Sequence, residues 1–69
     1  MSEYRPLLSA PLRRTLLMLA EGKTAKEIAV IEHISRHSVR SRVARARTVL
    51  NASTVANAIW LAHKRGELE

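Results

Sequence analysis

A chain of 69 residues holds one domain at most and buries only about 60% of the surface its unfolded form exposes, and without cysteine it has neither a disulfide framework nor a thiolate zinc site to supplement so small a core. Phe is absent and the aromatics are Tyr4 and Trp60, so the hydrophobic 46% must build its core from Leu, Ile, Val and Ala, a composition that favours helices over hairpins. Twelve Lys and Arg against six acidic residues give a net charge of +6, no acid falls between His33 and Gly66, and no apolar run approaches about 18 residues, which excludes a membrane span and a signal peptide and points to a soluble, intracellular partner of polyanions.

Residues 1 to 7 show no period, and Pro6 biases Arg5 toward extended backbone, which predicts a flexible N-terminal arm. Ser9 stands as an N-cap with Pro11 in the first turn. Leu12, Leu16, Leu19 and Ala20 then recur at helical intervals until Gly22 offers a stop, so a first helix is expected over about 10 to 21. Thr24 and Glu27 have capping-box spacing and begin a second, short helix from Ala25 to about Glu32, with Ile28, Ala29 and Ile31 facing inward. Ser35 caps a third, in which Val39, Val43, Ala46 and Leu50 fall within about 60° of one another at 100° per residue. Asn51-Ala52-Ser53 interrupts the pattern, and Ser53 or Thr54 caps a fourth helix running through VANAIWLAHKR to a stop at Gly66. Residues 67 to 69 read as a C-terminal tail, and the fold class expected is all-α, with four helices and no repeat.

Only His33, Ile34 and Ser35 join the second and third helices. A short helix, a tight turn and a second helix with a basic outer face make a helix-turn-helix, whose second helix enters the major groove while the first braces it across the backbone. The stretch ISRHSVRSRVARAR, residues 34 to 47, carries five arginines and His37 with no acid. Opposite its apolar stripe lie His37, Ser41, Ala44 and Thr48, flanked by Arg40 and Arg45. Small Ser41 and Ala44 let the helix approach base edges, Arg40 and Arg45 reach guanine, and Arg36, Arg42 and Arg47 reach phosphates on either wall. His37 suits a base or a phosphate. A merely solvated basic face is the alternative, but such faces usually mix signs to gain pairs along the helix, and this one does not. A membrane-lying helix would carry bulkier anchors than Val, Val and Ala.

Leu8-Ser9, Leu19-Ala20-Glu21-Gly22, Thr24, Lys26-Glu27-Ile28-Ala29, Ile34-Ser35, Ser38-Val39-Arg40, Leu50, Ala58-Ile59, Ala62 and Gly66 stand at unbroken spacing. With these residues the sequence resembles the LuxR/GerE-type DNA-binding domain of bacterial response regulators and quorum-sensing activators over residues 8 to 66. The resemblance implies a four-helix helix-turn-helix domain with residues 36 to 48 as recognition helix and the last helix used for dimerisation. It implies that Arg40, Ser41, Ala44 and Arg45 face bases and that Thr24, Lys26, Ser38 and Arg42 lie near phosphates. The sequence departs from that family at Glu32, where Leu is usual, at His33, where Gly is usual, at Leu12, where Glu is common, and at Asn51-Ala52, where Gly-Val is common. Ile31 is expected to take over the core contact that Glu32 vacates, and His33 to occupy a turn that favours positive φ.

In the fourth helix Val55, Ile59 and Ala62 form a stripe that closes the core, leaving Ala56, Trp60 and Leu61 off it. Trp60 either covers the edge of the first helix or anchors a symmetric dimer together with Ala56, Leu61 and Lys64. A dimer would read two half-sites about 34 Å apart. His33 and His37 lie on opposite sides of a turn without cysteine or aspartate, and His63 suits the negative end of its helix, so no metal site, cofactor, small-molecule substrate or enzyme is expected. The function expected is that of a cytoplasmic, nucleoid-associated transcription regulator. It binds double-stranded DNA sequence-specifically as a homodimer, standing alone or as a domain of a larger protein, with another regulator or RNA polymerase as further partner. The competing expectation is an interaction module that docks another regulator through Trp60 and Leu61 and binds DNA only loosely.

Overall fold

Among the described residues of the computed structural model four helices succeed one another: α1 over Ala10–Ala20, α2 over Ala25–Glu32, α3 over Arg36–Leu50 and α4 over Val55–Lys64. The structure describes residues 7–68, so the expected arm, Leu7 apart, and Glu69 lie outside the described residues. The all-α, four-helix expectation holds, and α3 runs two residues beyond the expected recognition segment, to Leu50.

Each helix end has a chemical cause. Thr24 Oγ1 accepts the Glu27 N–H at 3.1 Å and Glu27 Oε1 accepts the Thr24 N–H at 2.8 Å, which completes the capping box of α2. Ser35 accepts from the Ser38 N–H at 3.0 Å, and Thr54, rather than Ser53, accepts from the Asn57 N–H at 3.0 Å. At the other end all four helices close with paired bonds of the Schellman kind. Lys23 N–H reaches Met18 O, Ile34 N–H reaches Ala29 O, Ala52 N–H reaches Arg47 O, and Glu67 N–H reaches Ala62 O. That closure requires a left-handed residue, which Gly22 and Gly66 adopt without steric cost, whereas His33 (φ 57°) and Asn51 (φ 54°) adopt it against the preference of a side chain. The turn expected at His33 therefore has the geometry a glycine would favour.

Both α1 and α3 pack against the other three helices, with α2 and α4 on either side. The N-terminal half of α3 meets α2 through Val39 against Ile28 and Ala29, joined by Met18, Ala25 and Ile34. Its C-terminal half meets α1 and α4 through Ala46 and Leu50 against Leu8, Leu12, Leu16, Ala58 and Ala62. Leu19 packs against both groups, making one continuous core.

Three inward positions differ from the periodic reading. Ala20 is exposed, and Thr15 is buried instead, its hydroxyl donating to Pro11 O at 3.0 Å. Ile31 stands 47% exposed and does not take over the core contact. The inward place belongs to Glu32, one turn beyond Ile28, because two arginines neutralise its carboxylate there. Ile59 is half-buried, while Ala58 and Ala62 supply the fully buried contacts of α4.

The start of α1 is held differently from expectation. Ser9 occupies the N-cap position, but its side chain makes no cap bond. The amides of Leu7 and Leu8 instead donate to Glu67, at 2.8 Å to Oε2 and 2.8 Å to Oε1. Glu67 is 2% exposed and Leu68 packs on the core, so the segment read as a tail closes the fold. Glu67→Ala would leave two amides without an acceptor, one of them buried. A loss of about 1–3 kcal/mol in denaturant unfolding is expected, and unchanged stability would show that water replaces the carboxylate at no cost.

Candidate nucleic-acid interface

Fifteen residues make α3 roughly 22 Å long. Its inner stripe is anchored by Val39, Ala46 and Leu50, with Val43 half-buried because a shallow cleft between the starts of α2 and α4 leaves it partly open. Everything opposite that stripe is exposed: His37, Arg40, Ser41, Ala44, Arg45 and Thr48. The structure thus brings the five residues expected to contact bases onto one open face, where two arginines stand beside a strip of small side chains. Thr48 turns its hydroxyl back to Ala44 O at 3.1 Å and adds no bulk to the strip.

The six residues expected near phosphates separate into four kinds. Arg36 and Lys26 are exposed and, like Arg40 and Arg45, form no ion pair among the described residues. Arg47 is exposed but donates to Ser53 O at 2.8 Å, tying α3 to the loop before α4. Thr24 and Ser38 lie at the first turns of α2 and α3 and are engaged in capping: Thr24 in its box, Ser38 through its amide and through its hydroxyl, 3.1 Å from Ser35 Oγ.

Arg42 is the fourth kind. Its side chain is only 21% exposed, and its Nη1 donates to Glu32 Oε1 at 2.8 Å and lies 3.5 Å from Thr15 Oγ1. The same Glu32 oxygen accepts from Arg14 Nε at 3.2 Å and Nη2 at 3.1 Å, so one carboxylate, itself 14% exposed, joins α1, α2 and α3. Hydrogen bonding from Arg42, and secondarily from Arg14, holds the Glu32 carboxyl below its ordinary range. This junction was missed in the sequence, though a signal was present. Glu32 follows Ile28 by four residues, so the period puts an acid on the buried face, and a buried acid requires a cation.

Of the remaining candidates, Trp60 stands 55% exposed with the Lys64 ammonium 4.9 Å from the ring centroid, and Ala56 is exposed beside it. Leu61 departs from that group, being half-buried against the core. His33, His37 and His63 are exposed at a helix end, on the outer face of α3 and in the last turn of α4 respectively. Among the described residues no helix is long and apolar enough to cross a membrane.

Residues 7–50 match the family described as Sigma-70, region 4. The span takes in α1, α2 and the whole of α3, ends at Leu50 and leaves α4 outside it. It supports the helix-turn-helix, a motif the LuxR/GerE type also has, without singling out that type. No curated protein matches the chain.

The geometry around Glu32 fixes a pH dependence. A carboxyl whose folded pKa is depressed contributes stability that is complete above its ordinary value of 4.5 and disappears as pH falls through the lower folded value. Glu32→Gln should therefore make the acid limb of a Tm-against-pH curve shallower below about pH 5, while Glu27, also held low by its cap, still contributes there. An acid limb of unchanged steepness would mean that the three-helix junction adds nothing to the native state.

Proposed function

The chain belongs to the sigma-70 region 4 family of helix-turn-helix DNA-binding domains, and we propose that it regulates transcription by reading duplex DNA sequence with α3 in the major groove. The observation that carries this reading is the outer face of α3, where Arg40 and Arg45 stand beside Ser41 and Ala44 with no acid on the helix. A groove about 12 Å wide admits one helix, small leading side chains let its backbone approach the base edges, and arginine pairs in two bonds with guanine. Arg36 and Lys26, with Arg47 beyond its tie to Ser53, supply phosphate contacts that position the helix. This is a binding role, with no catalysis assigned to it, and it places the chain with the nucleoid in the cytoplasm.

A duplex selected from a random pool supplies the test. Arg40→Ala should lower affinity for that duplex by about 1–3 kcal/mol and relax the preference at one position. Arg36→Ala should weaken selected and random duplexes alike and reduce the salt slope by about 1. Equal losses on both duplexes in both variants would favour the interaction-module reading.

The same face of α4 that leaves Trp60 open supports dimerisation, through Ala56, Trp60 and Lys64 but without Leu61. Val30, 69% exposed, and Ile31 on the outer face of α2 are apolar surface for a further protein partner, RNA polymerase or another regulator. Trp60→Ala should weaken self-association in sedimentation and abolish two-site binding, whereas a wild-type chain that sediments as a monomer on and off DNA would remove the dimer.

A further inference from the structure

Five arginines line α3, and the structure treats one of them differently. Arg36, Arg40 and Arg45 are exposed without an ion pair among the described residues, and Arg47 is exposed with its tie to a carbonyl. Arg42 alone is drawn against the neighbouring helices. At 100° per residue Arg42 lies on one flank of the inner stripe, while Arg36 and Arg47 lie on the other. Its flank is the one that meets the C-terminal end of α2, where Glu32 is waiting.

We infer that Glu32 is a positioning residue for DNA binding: by holding the Arg42 guanidinium against α2 it keeps one cation of the recognition helix off the phosphates and so limits the sequence-independent part of the affinity. The inference rests on the DNA-binding reading of α3. Its physical basis is competition between two anions for one guanidinium. Glu32 is covalently fixed, 14% exposed and already oriented by Arg14, so its oxygen faces Arg42 before DNA arrives. A phosphate would have to displace that carboxylate and leave it with Arg14 alone. Thr15, 1% exposed and 3.5 Å from Nη1, adds a second oxygen on the protein side. Affinity for duplex of any sequence rises with each phosphate neutralised, and every such contact steepens the fall of affinity with salt by about 0.9 in the log–log slope. A domain that withholds one arginine therefore releases DNA more readily than its count of arginines suggests.

The test compares the salt dependence of binding to a random duplex and to the selected one. Glu32→Leu removes the carboxylate and fills its inward position with an apolar side chain. It should steepen both slopes by about 0.9 and raise affinity at 0.1 M salt roughly eightfold relative to 1 M. Glu32→Leu combined with Arg42→Ala should return the slope to that of the wild type. Arg42→Ala alone should leave the wild-type slope where it is, which keeps the test decisive should Glu32→Leu fail to fold. The inference is overturned if folded Glu32→Leu keeps the wild-type slope, if the double variant keeps a steep one, or if Arg42→Ala by itself lowers the slope by about 0.9. A wild-type chain that binds neither duplex overturns the reading of α3 itself, an outcome distinct from all three.

Discussion

Val39, Ala46 and Leu50 grip α3 along one side, and the grip is divided between two partners. Val39 closes against Ile28 and Ala29 of α2, which fixes the angle of the helix-turn-helix, whereas Ala46 and Leu50 close against α1 and α4 and fix the far end of the rod. Because the contact is confined to one stripe, the opposite side remains free of packing over its full length. A recognition surface of exposed arginines and small residues is a consequence of that one-sided burial. Long arginine side chains need the rod held still if they are to meet base edges with fixed geometry.

Charge is distributed to the same effect. Each of the four acids among the described residues is engaged within the protein: Glu21 near Lys23 at 3.5 Å, Glu27 in the cap of α2, Glu32 at the three-helix junction and Glu67 on the amides before α1. Two of them are substantially removed from solvent and do structural duty that an apolar residue would not, since each satisfies donors from distant segments. Most of the cations face outward. Negative charge is thus absorbed into the fold, and the surface that α3 presents is one-signed, the condition under which an electrostatic field steers a polyanion toward the helix.

What could be read in advance follows from the range of the interactions involved. Caps, stops and the α3 stripe are set by residues within a turn or two of each other, so Thr24 with Glu27, Ser35, Gly22 and the Val39-to-Leu50 pattern gave four helices and the exposed arginine face. The contacts that escaped reading are long-range. Glu67 serves amides about sixty positions earlier, and no local pattern distinguishes it from a tail residue. Ile31 against Glu32 was decided by Arg42 and Arg14, from two other helices, since hydrophobicity alone favours the isoleucine. Arg42 itself was legible as a flank residue, but the identity of what lay across that flank was not. The family type met a related limit, because a capping box, a tight turn and a basic second helix are requirements of the helix-turn-helix in general and do not discriminate between its branches.

The helix outside the family match divides packing and exposed surface by face. Without α4, Ala46 and Leu50 would lose the cover of Ala58 and Ala62, each fully buried, so the C-terminal half of the recognition helix depends on a segment that the matched span omits. The fully buried residues are alanines, which bring the α4 backbone close to α1 and α3, with Ile59 and Leu61 half-buried on either flank. At 100° per residue Ala56, Trp60 and Lys64 fall on the opposite side of the helix from Ala58 and Ala62. The largest side chain of α4, Trp60, is turned outward, so replacing it removes contact area from the exterior without opening a cavity in the core. That separation lets α4 support α3 through its inner face while Trp60 remains exposed on its outer one.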